Sequence, residues 1–313
     1  MSITPAENAA NIMRTCLGVK QGEQVLIVTD NTKLSIGKML YDAALALSCD
    51  ALLMQMEERE LSGQEPPAAI AAAMKAADVV ICPTAKSLTH TNARIEAAKA
   101  GARIATMPGI SEEMFTQGAM TANYTEVAEL TEKVTALLTD AKEAHIEKGG
   151  YTLTIVLEGR NGVPSAGVYR EPGQSGNLPS GEAYIAPLEN SSNGEVLVDG
   201  SMIGIGMLEE PLLFTVKNGK LVNIKGSEKL SVLLENERNA TLCELGVGTN
   251  KNAVLCGVIL EDEKVYGTVH IAFGTNTSFG GVNKADCHMD GVILQPNLYL
   301  DGKLIIQNGK FMI

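Results

Sequence analysis

Tryptophan is absent from this 313-residue chain, aromatic residues make up only 4% of it, and histidine occurs only four times. Lectins and base-stacking proteins use exposed aromatic rings, so this scarcity argues against both classes. Cations are also in deficit, because 25 Lys and Arg face 37 Asp and Glu, a formal net charge of -12. Too few cations remain to neutralise phosphates, so we expect no nucleic-acid partner and no binding to anionic membranes. Peptides or small molecules are the expected partners.

Several common motifs are missing as well. The six cysteines form no C-x-x-C pair, and no stretch of about 18 apolar residues runs uninterrupted, so we expect reduced thiols and no membrane span. The N-terminus shows no basic segment followed by an apolar one, and we predict a cytoplasmic protein. The turn after the first apolar run, "TDNTKLSIG", has no G-x-G-x-x-G or Walker pattern, which disfavours a dinucleotide or phosphate site there.

The first half alternates short apolar runs with alanine-rich segments of helical spacing, the pattern of a parallel sheet covered by helices. A helical pattern then extends from Tyr124 to about Lys148, where Gly149 and Gly150 are expected to end it. We place a domain boundary at this point, between residues 1–149 and 150–313. The predicted strands are "QVLIVTD" (Gln24–Asp30), "DALLMQME" (Asp50–Glu57), "DVVICPT" (Asp78–Thr84) and "RIATMPG" (Arg103–Gly109).

The second half is rich in glycine and in hairpin signals. Asn218-Gly219, Asp301-Gly302 and Asn308-Gly309 each separate alternating apolar runs, and one helix is predicted at about Glu228–Asn239. The fold class is therefore α/β, with an N-terminal parallel-sheet domain and a C-terminal, mostly antiparallel α+β domain that we expect to bind metal.

Candidate metal ligands concentrate in the second half. In an extended segment residues i and i+2 share a face, so His288 and Asp290 of "CHMDGVI" can direct a nitrogen and an oxygen to one point. His270 ends an apolar run that enters a glycine-rich loop. Glu182 and Glu244 sit among small or apolar neighbours, where an unpaired charge would be costly to bury. These five residues could hold one metal ion with spare acid/base groups, or two ions sharing a carboxylate.

The segments "GNLPSGEAYIAP", "CELGVGTN", "EDEKVYGTVHIAFG" and "CHMDGVI" resemble, in order and setting, the M29 metalloaminopeptidases, the aminopeptidase T and thermophilic leucyl aminopeptidase group. The first half, notably "LTHTNARIEAAKAGARIATMPGI", is similar too. The resemblance implies a homodimeric aminopeptidase with two divalent ions, Zn, Co or Mn, that activate a water. It implies Glu182 as general base and Glu244 as a carboxylate between the ions. The implied metal ligands are Glu182, Glu244, His270, His288 and Asp290.

The chain departs from that family in being shorter and in having Thr277 where the family carries a tyrosine. The 2,5-dihydroxypyridine 5,6-dioxygenases share the scaffold and resemble this chain in length. That resemblance implies the alternative function, ring cleavage by a single Fe(II) held by His270, His288 and Asp290. Two histidines and one carboxylate are the ligand set of non-haem iron oxygenases. Because Glu182 and Glu244 suit a second metal, the sequence favours the peptidase. A catalytically silent binding protein is a third hypothesis.

Residues beside these ligands have more ordinary interpretations. The acidic run Glu261, Asp262 and Glu263 is predicted to be a solvated loop, with the alternative that one member orients His270. Cys243 and Cys287 each precede a proposed ligand, and neighbours on a strand point to opposite faces. Both cysteines are therefore predicted to be packing residues.

Overall fold

The structure is a computed structural model that describes residues 4–313. Its described residues fall into two compact units. Unit one runs through Glu126 and also includes Gly167–Ser180, and unit two consists of Val127–Ala166 and Gly181–Ile313. The boundary predicted at residue 149 therefore lies inside unit two.

The elements of unit one are α1 (Pro5–Asn11), a π-helical turn (Ile12–Cys16), β1 (Gln24–Asp30), α2 (Leu34–Ala46), β2 (Asp50–Met56), α3 (Ala68–Ala76), β3 (Val79–Thr84), α4 (Asn92–Lys99), β4 (Arg103–Pro108), α5 (Glu112–Thr116), a 3-10 turn (Gly118–Thr121) and, later in the chain, β8 (Ser175–Asn177). Its five strands form a parallel sheet in the order β2-β1-β3-β4-β8. The strands β1, β3 and β4 are almost entirely buried, as expected for apolar runs covered on both faces. The helices α3 and α4 bury Met74 and Ala97 against Val80 and Ile104 of the sheet.

The elements of unit two are α6 (Tyr124–Asp140), whose first residues belong to unit one, β5 (Glu143–Lys148), β6 (Tyr151–Val156), β7 (Val163–Ser165), β9 (Glu182–Ile185), β10 (Asn193–Val198), β11 (Ser201–Met202), β12 (Gly206–Met207), β13 (Leu212–Lys217), β14 (Lys220–Lys225), a 3-10 helix (Lys229–Leu234), β15 (Leu242–Gly248), α7 (Ile259–Asp262), β16 (Val269–Gly274), β17 (His288–Ile293), β18 (Asn297–Leu300), β19 (Lys303–Gln307) and β20 (Lys310–Phe311). Its strands form two antiparallel sheets. The eight-stranded sheet has the order β14-β13-β10-β6-β5-β18-β19-β20, and the seven-stranded sheet has the order β12-β11-β17-β16-β15-β9-β7.

The two sheets of unit two share one hydrophobic core. Residues on one face of the seven-stranded sheet, such as Leu245 and Ile271, join that core together with Leu153 and Val196 of the eight-stranded sheet. The rings of Phe214 and Phe273, one from each sheet, meet edge to face with centroids 5.6 Å apart. Because side chains alternate along a strand, the second face of the seven-stranded sheet is left for polar residues.

The predicted fold class is confirmed: a parallel sheet with helices in the first half, and antiparallel sheets in the second. The predicted end of the long helix was wrong. The helix α6 stops at Asp140, and Glu143–Lys148 forms β5, which pairs with β6 in a hairpin whose turn holds Gly149 and Gly150, both at positive φ. Ala144 and Ile146 are completely buried in the core, and this packing overrides the helical tendency of the segment.

The helix predicted near Glu228–Asn239 is only a 3-10 segment, Lys229–Leu234. Among residues 4–313, no helix combines the length and apolar character needed to cross a lipid bilayer.

Candidate metal centre

All five residues proposed as ligands lie on one face of the seven-stranded sheet, which we call the polar face. Glu182 begins β9, Glu244 lies on β15, His270 on β16, and His288 and Asp290 on β17. Antiparallel pairing places Glu244, Ala272 and Asp290 side by side, so these strands bring together residues far apart in the chain. The alternation that buries Leu245 and Ile271 in the core directs the ligand candidates to the opposite side.

Glu244 lies between the two histidines. Its Oε1 is 3.3 Å from His270 Nε2, and its Oε2 is 3.2 Å from His288 Nε2. His270 Nε2 is also 3.3 Å from Glu182 Oε2, and His288 Nε2 is 3.3 Å from Asp290 Oδ1. The His-x-Asp pair thus directs both side chains to one point, as the spacing predicted. Three residue groups each bring their potential ligand atoms within 4.8 Å of one another. They are Glu182, Glu244 and His270; Glu244, His288 and Asp290; and Glu263, His270 and Asp290.

A glycine makes room for the His270 ring. Gly246 on β15 pairs directly with His270 on β16. A Cβ added to Gly246 would lie 1.9 Å from His270 Nε2 and 2.2 Å from Cε1. The imidazole therefore lies across the backbone of the neighbouring strand, and only glycine leaves space for it. This role could not be predicted from "CELGVGTN", because the segment does not show which residue lies across from the glycine on the next strand.

The tautomer of His288 follows from its surroundings. Its Nδ1 lies 2.9 Å from the carbonyl oxygen of Thr275, which can only accept a hydrogen bond, so Nδ1 carries the proton. When this imidazole is neutral, Nε2 carries no proton and faces Glu244 and Asp290, as required of a metal-binding imidazole held by a backbone carbonyl.

Cys243 also contacts His288, with its Sγ 3.6 Å from Nδ1. The register between β15 and β16 shifts between Leu242 and Glu244, so simple alternation fails at Cys243. The prediction that Cys243 only packs was therefore wrong. Cys287 does pack against the core of unit two, as predicted.

Lys264 is a member of the site that sequence reasoning missed. This lysine is completely buried, and its Nζ donates to Glu182 Oε1 at 2.6 Å and to Glu263 Oε1. Burial, with the charge of Glu182 next in importance, raises the pKa of Glu263, and the ammonium of Lys264 opposes this shift. The predicted solvated loop was wrong, because Glu261 and Asp262 are 1% and 0% exposed. The acidic run does not by itself predict that the lysine after it is buried.

The carboxylates shift the pKa values of the histidines. Burial lowers the pKa of His270, but the hydrogen bond to Glu244 and nearby negative charges outweigh it and raise that pKa to about 9. The pKa of His288 is also raised well above its usual value, against the effect of burial, with Asp290 the main cause. Burial raises the pKa of Glu244, yet both histidines together lower it to about 2. Protons on the imidazoles thus balance buried negative charge, and a divalent cation could replace them.

The donor set fits a divalent transition metal. Imidazole nitrogens and carboxylate oxygens are suitable ligands for Fe, Zn, Co and Mn. Glu182 Oε2 is buried without a hydrogen-bond donor among the described residues, although it faces His270 Nε2 at 3.3 Å. A cation would relieve the cost of such a buried oxygen. The polar face can therefore hold a divalent metal.

A family model described as NicX, 2,5-dihydroxypyridine 5,6-dioxygenase, matches residues 7–313, nearly the whole chain. The chain belongs to this family. A curated 2,5-dihydroxypyridine 5,6-dioxygenase of Pseudomonas putida KT2440 is 24% identical over 192 residues. That alignment spans 55% of this chain and 55% of the relative, so it reaches only about half of the relative's length.

Solved structures share the fold along the whole chain. The 2,5-dihydroxypyridine dioxygenase of Pseudomonas putida KT2440 has a TM-score of 0.81 at 19% identity, covering 99% of this chain and 98% of that one. Wild-type AmpT from Thermus thermophilus has a TM-score of 0.73 at 16% identity and 99% coverage of both chains. The resemblance to the aminopeptidases therefore holds for the scaffold, whereas the family match is to the dioxygenases.

In this NicX-family chain an aromatic side chain borders the centre. The Phe279 ring meets the Tyr184 ring edge to face at 5.3 Å and lies 6.0 Å from the His288 ring. Phe279 also lines an open cavity of about 500 Å³ together with Arg160 and Val163. Thr277, at the position of the peptidase tyrosine, is exposed. Aromatic rings therefore lie beside His288.

Proposed function

We propose that this protein is a ring-cleaving dioxygenase that acts on a dihydroxylated pyridine with one ferrous ion. The supporting observation is the placement of His270, His288 and Asp290 on adjacent strands of one sheet face, in a chain that belongs to the 2,5-dihydroxypyridine 5,6-dioxygenase family. These three residues would hold the ion, as the alternative interpretation of the sequence expected.

A bound ferrous ion would supply the activation of dioxygen that ring opening requires. The remaining side chains act on the substrate and on the ligands. Glu244 holds both imidazoles in place through its two oxygens, each within 3.3 Å of a ring nitrogen. Glu182 Oε2 has no hydrogen-bond donor among the described residues, so it can accept a proton from a substrate hydroxyl. Phe279 and Tyr184 offer aromatic edges to a flat ring.

A two-metal aminopeptidase remains the second candidate, and one observation favours it. The two oxygens of Glu244 point to different histidines, as a carboxylate shared by two ions would do. In this case Glu182 would accept a proton from water, and zinc, cobalt or manganese would activate that water for attack on the N-terminal peptide bond.

An experiment that varies the metal, the substrate and the oxygen supply together distinguishes the dioxygenase from the aminopeptidase. Chelator-treated protein is reloaded with Fe(II), Zn, Co or Mn and given 2,5-dihydroxypyridine or aminoacyl anilides, with and without oxygen. We expect loss of the dihydroxypyridine, with matching oxygen uptake, only for the Fe(II) protein in air. Release of free amino acids under anaerobic conditions, with the pyridine left intact, would overturn the proposal in favour of the peptidase.

A further inference from the structure

Lys264 is the least expected residue of the centre. Lysine is almost never completely buried unless it is paired, and this one has 0% exposure. Both side-chain partners of its ammonium are carboxylates, Glu182 Oε1 at 2.6 Å and Glu263 Oε1. An ammonium removed from water in this way is stable only because these partners replace its hydration.

The carboxylates that hold Lys264 are themselves potential metal ligands. Glu182 groups with Glu244 and His270, and Glu263 groups with His270 and Asp290. By contrast, among the described residues 4–313 the group made of Glu244, His288 and Asp290 forms its ion pairs without the lysine. The ammonium therefore engages the donors on the Glu182 and Glu263 side of His270, where a second ion would have to bind.

A second divalent ion would compete directly with this ammonium. Each of the two carboxylates has one oxygen engaged by the ammonium, and an ion bound to the same groups would lie close to a positive charge in a site with little water. The lysine side chain cannot move its charge into solvent without crossing the packed interior, since the whole residue is buried.

We infer that Lys264 is a resident cation that takes the place of a second metal ion and so limits the centre to a single ion. The inference rests on the proposed function only in taking the polar face to be a metal centre. Lys264 is a positioning residue, because it acts through the two carboxylates that its ammonium contacts. It holds Glu182 so that Oε2 faces His270 Nε2 at 3.3 Å.

The test counts metal ions without any substrate or oxygen. Chelator-treated wild-type protein and Lys264→Met are titrated with Mn(II) by calorimetry, and their Mn(II) electron paramagnetic resonance spectra are recorded at saturation. Met retains a long apolar side chain without the charge. Lys148→Met is the matched control, because Lys148 forms an ion pair with Asp199 at 2.8 Å in the same unit.

We expect one Mn(II) per chain and an uncoupled spectrum for the wild type and for Lys148→Met. In Lys264→Met the freed carboxylates should admit another ion, so the stoichiometry should rise towards two with spin coupling between the ions. If Lys264→Met does not fold, Lys264→Gln replaces it, because Gln keeps N–H donors for both carboxylates while removing the charge.

Two coupled ions in the wild type would overturn the inference, and so would a stoichiometry that stays at one when the charge is removed. A single ion in the wild type combined with no ring cleavage would instead count against the proposed function alone. The two failures are therefore distinguishable.

Discussion

Gly246→Ala tests whether the His270 ring depends on the space above β15. The new Cβ would lie 1.9 Å from His270 Nε2. Because carbon and nitrogen normally approach to about 3.5 Å, the ring would have to move by about 1.6 Å. His270 is completely buried, so packed neighbours restrict where the ring can move. A shift of this size takes Nε2 out of reach of a metal shared with its neighbours.

Gly246→Ala should weaken metal binding as much as the loss of a metal ligand would. Disturbing a residue that merely orients a ligand costs about 10- to 100-fold in metal affinity, and displacing the ligand itself should cost at least as much. This corresponds to about 1.4 to 2.7 kcal/mol or more. Calorimetric titration of chelator-treated Gly246→Ala with Fe(II) or Mn(II) measures the effect, and circular dichroism checks that the variant is folded.

Gly291→Ala is the matched control. Gly291 lies on β17 of the same sheet and pairs with Ile271, but its added Cβ would meet Met202 Sδ and Val198 at 3.0 Å, away from the ligands. This variant should lose some thermal stability and keep its metal affinity. If folded Gly246→Ala bound metal as tightly as Gly291→Ala, the role assigned to Gly246 and the placement of His270 in the centre would both be refuted.

Three further changes probe the same centre. His288→Ala should weaken metal binding at least about 10- to 100-fold while Cys287→Ala does not, and equal affinities in calorimetry would remove His288 from the site. Glu244→Gln keeps the shape but loses the charge between two imidazoles, so oxygen uptake with the pyridine should fall below detection, and full activity would contradict that role. The pKa of His270 rises from 6.5 in the unfolded chain to about 9 in the metal-free fold, so binding of this proton stabilises the fold. That stabilisation is complete below pH 6.5 and is lost as the pH rises through 9. Melting curves in chelator should therefore show lower stability at pH 9.5 than at pH 6.5, with a smaller change in metal-loaded protein, and identical pH dependence of the two forms would contradict this.

The sequence by itself determined the local features. Apolar runs separated by helical spacing predicted β1 to β4 of the parallel sheet, and Asn-Gly and Asp-Gly pairs predicted hairpins of the second half. The i, i+2 spacing correctly placed His288 and Asp290 on one face, because strand geometry alone decides this.

Only the tertiary structure decided the features that depend on strand pairing and packing. The end of α6 at Asp140 was missed, because Ala144 and Ile146 join a core that local spacing does not reveal. The register of β15 with β16 decides two of these features. It includes the bulge that brings Cys243 to His288, and it pairs Gly246 with His270. Register is fixed by the hydrophobic packing of the whole sheet, so it has no short sequence signature.

The role of Lys264 also could not be predicted from the sequence. In the sequence it ends an acidic run that looks solvated, and in the fold it is an ammonium enclosed by Glu182 and Glu263. Glu182 precedes it by 82 residues, so this contact exists only in the folded chain. A buried charge is tolerated because folding brings its partners to it, and that condition is a property of the tertiary structure.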